Sequence, residues 1–105
     1  HRMADCTSNP YLATATVLQA ARLGVTEGYE LPPEETGDCF ETANTDRCVP
    51  PDLFAALMAL ESDQKLVEAV GRPIVDYLVE LKRAEWNKYL GHTTDWETGH
   101  YLEFI

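Results

Sequence analysis

The stretch from residue 25 to residue 51 most constrains what this chain can fold into, because it interrupts the helical periodicity on either side. It contains Pro32-Pro33 and Pro50-Pro51, and seven acidic residues lie between Thr26 and Asp46 with no basic residue among them. Proline removes a backbone donor, and a loop this long is generally functional or disordered. We therefore predict an acidic surface loop over 25–51, which is either a solvated face or an arm that contacts a partner.

A helix is predicted before this loop, over residues 10–23. Asn9 can accept hydrogen bonds from the first free amides, and Pro10 suits the first helical position because its missing N–H has no partner there. Leu12, Ala15 and Leu18 follow at helical spacing, and Gly24 is a typical stop signal.

Residues 52–105 predict a run of helices. Asp52 can cap the first, Pro73 opens the longest, and Thr94 with Glu97 has the spacing of a capping box. The apolar positions at helical spacing are Leu53, Leu57, Leu60, Leu66, Val67, Val70, Ile74, Tyr77, Leu78, Leu81 and Ala84. We therefore expect a mainly α chain.

Composition excludes some classes of function. The formal net charge of −10 argues against binding to a nucleic-acid backbone, which requires a basic surface. No apolar run approaches the roughly 20 residues of a membrane span. Three cysteines, Cys6, Cys39 and Cys48, form no metal-site spacing and indicate free thiols in a reducing compartment. We expect a soluble, cytoplasmic protein that binds neither nucleic acid nor membrane.

The first eight residues are predicted to form one short strand. They show no helical period, and no other segment offers a strand to pair with them. Arg2 lies at the start of this strand, where its planar guanidinium could bind a phosphate or carboxylate or could form a surface ion pair. The scattered His1, His92 and His100 fit no metal site. The chain is therefore predicted to be part of something larger.

Several collinear passages carry a family resemblance. Residues 2–13 (RMADCTSNPYLA) resemble the Arg-x-Pro-Asp-x-x-x-Asn-Pro-Tyr-Leu-Ala passage of the glutamine synthetase family. Residues 28–35 (GYELPPEE) are similar to that family's Tyr-Asp-Leu-Pro-Pro-Glu-Glu loop. Residues 53–60, 81–85 and 94–102 resemble its later helices and C-terminus.

The resemblance implies the C-terminal, helical part of an α+β catalytic domain, with residues 1–8 as the last strand of the active-site barrel. The family uses ATP and Mg²⁺ or Mn²⁺ to join ammonia to the γ-carboxylate of glutamate through γ-glutamyl phosphate. Arg2 matches the arginine that contacts the transferred phosphate and the substrate. Tyr29 matches the tyrosine that some bacterial members carry adenylylated. Relatives assemble as stacked rings.

Departures from the family pattern leave alternatives open. Ala4 stands where many members have proline, and residues 40–50 have no counterpart in the pattern. The alternatives are a γ-glutamyl-polyamine or γ-glutamyl-amine ligase, and an acidic helical interaction module without catalysis. In the family's sequence, the carboxylates that bind metal and the residues that bind nucleotide precede the passage that residue 2 begins. We therefore expect the 105-residue piece alone to be inactive and to contain no metal site.

Overall fold

The chain forms α-helices over most of the residues that the computed structural model describes, which are 4, 6–34, 36–38 and 49–102. No β-strand occurs within these ranges, so the prediction of a mainly α chain is confirmed. The helices in these ranges are α1 (Pro10–Thr26), α2 (Leu53–Ser62), α3 (Gln64–Val70), α4 (Arg72–Leu90) and α5 (Asp95–Tyr101).

The predicted strand over residues 1–8 stays a prediction. Residues 1–3 and 5 lie outside the described residues, and residues 6–8 form a turn that leads into α1. The predicted acidic loop is described only in part, since residues 39–48 also lie outside the described residues. Residues 28–34, 36–38 and 49–52 form neither helix nor strand.

Helix α1 begins at a well-formed cap and ends later than its sequence predicts. The Asn9 side-chain oxygen accepts from the backbone amides of Tyr11 and Leu12, at 3.0 and 3.2 Å. The helix passes through Gly24 and ends at Thr26, three residues beyond the predicted 10–23. Gly28 instead carries the positive φ, +65°, that reverses the chain at the helix end.

Helices α2, α3 and α4 follow one another with almost no connecting chain. The carboxylate of Asp52 accepts from the Ala55 amide at 2.7 Å, and that of Asp63 accepts from the Leu66 amide at 3.0 Å. Gly71 separates α3 from α4 with φ of +116°, a backbone conformation that side chains with a Cβ rarely adopt. These short joints fold α2, α3 and α4 back on one another.

A small apolar core forms where these three helices meet. Its buried side chains come one from α2, one from α3 and two from α4, namely Leu57, Val67, Val75 and Val79. Arg83 of α4 also donates to Glu61 of α2 at 2.5 Å, at the edge of the same contact. Helix α1 packs on α3, and no described helix of α1–α4 packs on α5.

The predicted apolar face of α4 is only partly the buried face. The residues that fill the core are Val75 and Val79, whereas Ile74, Tyr77 and Leu81 are more than half exposed. Helix α4 therefore carries two rows of apolar side chains. The row of Ile74, Tyr77 and Leu81 is not covered by the described residues.

The described helices form an open arrangement. The radius of gyration is 18.0 Å, against about 13 Å for a compact domain of this length. No helix in the described part of the chain has the length and hydropathy required to cross a membrane.

Candidate functional site

The predicted phosphate-contacting residue, Arg2, lies outside the described residues. Its role therefore stays a prediction. The structure describes Ala4 and the turn at residues 6–8, which lead from that region into α1. Two regions of the described residues bear on a functional site. They are the start of α1, next to residues 6–8, and the surroundings of Tyr29.

An apolar groove lies beside the entry into α1. It has a volume of about 760 Å³ and runs between α1 and α4, which do not pack on each other directly. Leu12 and Val17 line the α1 side, Ile74 and Leu78 line the α4 side, and Ala4 lies at its N-terminal end. Because these walls carry few polar groups, the groove is suited to another apolar protein surface rather than to a charged substrate.

Tyr29 lies just beyond the end of α1, at the start of the acidic loop. Its amide donates to the Gly24 carbonyl at 3.0 Å, which places the residue immediately after the turn at Gly28. Its side chain is 56% exposed. The Tyr29 side chain is thus open to another protein, as a modification site requires.

Lys65 of α3 interacts with both ends of this turn. Its ammonium forms an ion pair with Glu27 and lies 5.7 Å from the centroid of the Tyr29 ring. The hydrogen bond from Lys65 to Glu27, the Glu27 charge and the Tyr29 side chain raise the pKa of Lys65 above its ordinary value of 10.5. Sequence reasoning missed Lys65, because 38 residues separate it from Glu27 and no local pattern links them.

A second, more polar hollow of about 550 Å³ adjoins Lys65, between the end of α1 and α3. Its charged lining residues are two bases, Arg22 and Lys65, and two acids, Glu27 and Glu68. Since these charges balance, the hollow offers no net attraction to an anion or a cation.

No group of three or more His, Cys, Asp or Glu side chains in the described part of the chain could hold a metal ion. Cys6 is a free, exposed thiol, and Cys39 and Cys48 lie outside the described residues. The imidazole of His100 stacks on Trp96 at 4.9 Å between ring centroids. The described histidines and cysteines therefore do not converge on one site.

The aromatic residues near the C-terminus form two local groups instead of one cluster across α4 and α5. Trp86 contacts Tyr89 within α4 at 5.6 Å, while Trp96 contacts His100 and Tyr101 within α5. The two groups stay separate in the described part of the chain, because α5 does not pack on α4 there.

The N-terminus of α5 has a complete capping box. The Thr94 hydroxyl accepts from the Glu97 amide at 3.2 Å, and the Glu97 carboxylate accepts from the Thr94 amide at 2.8 Å. The Thr94 hydroxyl also donates to the Glu97 carboxylate, at 2.9 Å. The hydrogen bonds from the Thr94 amide and hydroxyl lower the pKa of Glu97, and the electrostatic interaction with His92 lowers it further. The charge on Glu97 therefore stabilises the start of this short helix.

Comparison with known proteins relates the whole chain to one family. The family described as "Glutamine synthetase, catalytic domain" matches residues 1–101. A glutamate–methylamine ligase of Methyloversatilis universalis is 36% identical over 99% of this chain and 25% of its own length.

Two further relatives are glutamine synthetases. That of Methanocaldococcus jannaschii is 38% identical and that of Mycolicibacterium smegmatis 34% identical, each over 96% of this chain and 24% of its own length. The chain thus spans about a quarter of the length of the curated relatives that it matches.

Proposed function

Because the chain belongs to the glutamine synthetase family, we propose that it is the C-terminal, mainly helical part of an ATP-dependent carboxylate–amine ligase. The reaction joins ammonia to the γ-carboxylate of glutamate through γ-glutamyl phosphate. The observation that carries this proposal is the match of residues 1–101 of this chain to the catalytic domain of that family. We place the complete enzyme in the cytoplasm as a homo-oligomer of stacked rings.

Arg2 is the catalytic residue that we assign within this chain. Its guanidinium would donate hydrogen bonds to the phosphoryl group during transfer to the glutamate carboxylate. Negative charge builds on that group in the transition state, and a fixed cationic donor stabilises it there more than in the ground state. The resemblance of residues 2–13 to the family's arginine-containing passage supports this role.

Arg2→Ala in the complete enzyme tests the assignment. Loss of one transition-state donor lowers turnover by about 10²–10³-fold, and we expect the fold to be retained. Arg22→Ala is the matched control, because Arg22 lies on α1 and its guanidinium donates locally, to Gln19 at 2.7 Å, in the described part of the chain. Wild-type ATP-dependent turnover in the Arg2 variant, or an equal loss in both variants, would contradict the role.

ATP and a divalent metal, Mg²⁺ or Mn²⁺, belong to the proposed reaction as its phosphoryl donor and Lewis acid. The described residues do not fit a metal site, because none of their acidic, histidine or cysteine side chains form a group of three. We assign no metal ligand among the described residues. We expect the 105-residue piece alone to be inactive, because the resemblance places the metal carboxylates and the nucleotide-binding residues of the family before the passage that residue 2 begins.

Methylamine is the second candidate for the amine acceptor, and the comparison with relatives supports it. The methylamine ligase relative is 36% identical to this chain and the glutamine synthetase of Methanocaldococcus jannaschii is 38% identical, so relatives with the two names match this chain almost equally. Phosphate release from ATP and glutamate by the complete enzyme, measured with ammonia and with methylamine as sole acceptor, separates the two activities. Absence of turnover with either acceptor would favour an acidic helical interaction module without catalysis.

Tyr29 is the proposed modification site, supported by its exposed side chain and by the similarity of residues 28–35 to the family's loop. An adenylyl group on its hydroxyl would be detected by mass spectrometry of the tryptic peptide that contains it. Tyr11 is the control tyrosine, since it is still more exposed and lies on α1. Modification of both tyrosines to the same extent would contradict a specific site.

A further inference from the structure

The chain just after α1 is held to α3 by a set of contacts that converge on one side chain. Glu27 and Tyr29 lie on either side of Gly28, and both interact with the ammonium of Lys65. Glu27 provides the ion pair and Tyr29 provides an aromatic face, with the ammonium 5.7 Å from its centroid. One cation thus binds two neighbouring groups of the same turn.

The backbone of the turn brings these two groups to the same side of Lys65. Gly28 adopts φ of +65°, and the Tyr29 amide then bonds back to the Gly24 carbonyl. With one residue between them, Glu27 and Tyr29 would diverge in a continuing helix, where neighbours two apart do not face each other. The reversal at Gly28 therefore makes the two-sided contact possible.

This contact differs from most of the other ion pairs in the described part of the chain. The pairs Arg72–Glu68 and Lys82–Glu85 join residues four and three apart within the α3–α4 region. Lys65–Glu27 instead joins residues 38 apart, and it lies where the acidic loop begins. Its formation fixes the start of that loop on α3, whereas Lys82–Glu85 lies within α4 and Arg72–Glu68 spans only the short joint between α3 and α4.

We propose that Lys65 is an electrostatic latch, which holds residues 27–29 on α3 and releases them when charge is screened or when Glu27 is neutralised. An exposed ion pair contributes little by itself, and a cation over an aromatic ring adds a comparable amount. The closed and open states are therefore close in free energy. Release would move the Tyr29 ring off α3, so the latch controls how that side chain is presented. The latch does not depend on the proposed ligase activity.

Hydrogen exchange of the Tyr29 amide, followed by NMR on the intact chain, reports opening of the turn. Lys65→Met keeps the apolar stem and removes the charge, and we expect it to raise the Tyr29 exchange rate about threefold or more at low ionic strength. Lys82→Met is the matched control, because the cation that it removes pairs, among the described residues, with Glu85 three positions away. The amide of Ala56, which bonds to Asp52 in the α2 cap, reports any general destabilisation.

Two outcomes would overturn the latch. One is an unchanged Tyr29 rate in Lys65→Met, and the other is a rise that Lys82→Met or the Ala56 amide shares to the same extent. Glu27→Gln, which keeps the size of the side chain, is the second variant. We expect added salt to raise the Tyr29 rate in the wild type and to raise it less in Glu27→Gln, since that variant lacks the Lys65–Glu27 ion pair that salt screens. Equal salt dependence in both would refute the proposal.

Discussion

Replacing Val67 by alanine tests whether the small core between α2, α3 and α4 holds the described helices together. Val67 is 2% exposed and is the most deeply buried side chain of that core. The substitution removes two methyl-sized carbons, or about 1.6 kcal/mol of transfer free energy. The cavity left behind adds on the order of 1 kcal/mol, and the better helix propensity of alanine recovers about 0.5 kcal/mol.

The free energy of unfolding should therefore fall by about 2 kcal/mol, which corresponds to a fall in Tm of about 8–16 °C for a chain of this size. Urea unfolding of the intact chain, followed by far-UV circular dichroism, measures the change. Val25→Ala is the matched control, because Val25 is also helical but 84% exposed, and it should change stability by less than about 0.5 kcal/mol. Equal effects of the two variants would show that no cooperative core exists around Val67.

Three further predictions concern the groove and the helix ends. The 105-residue chain should self-associate through the apolar groove, and Leu81→Glu should shift it toward monomer in sedimentation, whereas Leu31→Glu, which lies on the loop outside the groove, should not; a wild type that stays monomeric at all concentrations would contradict this. Asn9→Ala should destabilise α1 by about 1 kcal/mol through loss of its cap, and unchanged amide exchange in the first turn would contradict it. The pKa of Glu97 is lowered from its ordinary value of 4.5 in the folded chain. The stability that the Glu97 carboxylate gives to α5 is therefore complete above pH 4.5 and is lost as the pH falls through the lower folded pKa. Helicity of α5 that stays constant through that acid range, measured by NMR, would refute the role of the capping box.

The starts of the helices could be predicted from the sequence because each depends on a side chain and the few residues that follow it. Asn9, Asp52 and Thr94 all accept hydrogen bonds from amides two or three positions onward. A cap of this kind is a local interaction, so its residue type and spacing are visible in the amino-acid order. The end of α1 was predicted less well, since Gly24 continues the helix and Gly28 reverses the chain.

The buried face of α4 could not be identified from periodicity. Two apolar rows run along that helix, and helical spacing favours Ile74, Tyr77 and Leu81 as strongly as Val75 and Val79. The packing of α2 and α3 against α4, after the chain turns at Gly71, decides which row is buried. The open row, which lines the groove, is a consequence of that geometry.

The amino-acid order alone determined the helical class of this chain, the positions of its caps and the family to which it belongs, because all three are written in short-range patterns of side-chain type. Tertiary structure alone decided that Lys65 meets Glu27 and Tyr29 and that Val67 is buried more deeply than its neighbours. These contacts join residues far apart in the chain. They depend on how the chain turns at Gly28 and Gly71. Residue spacing within one helix cannot predict which distant side chains these turns bring into contact.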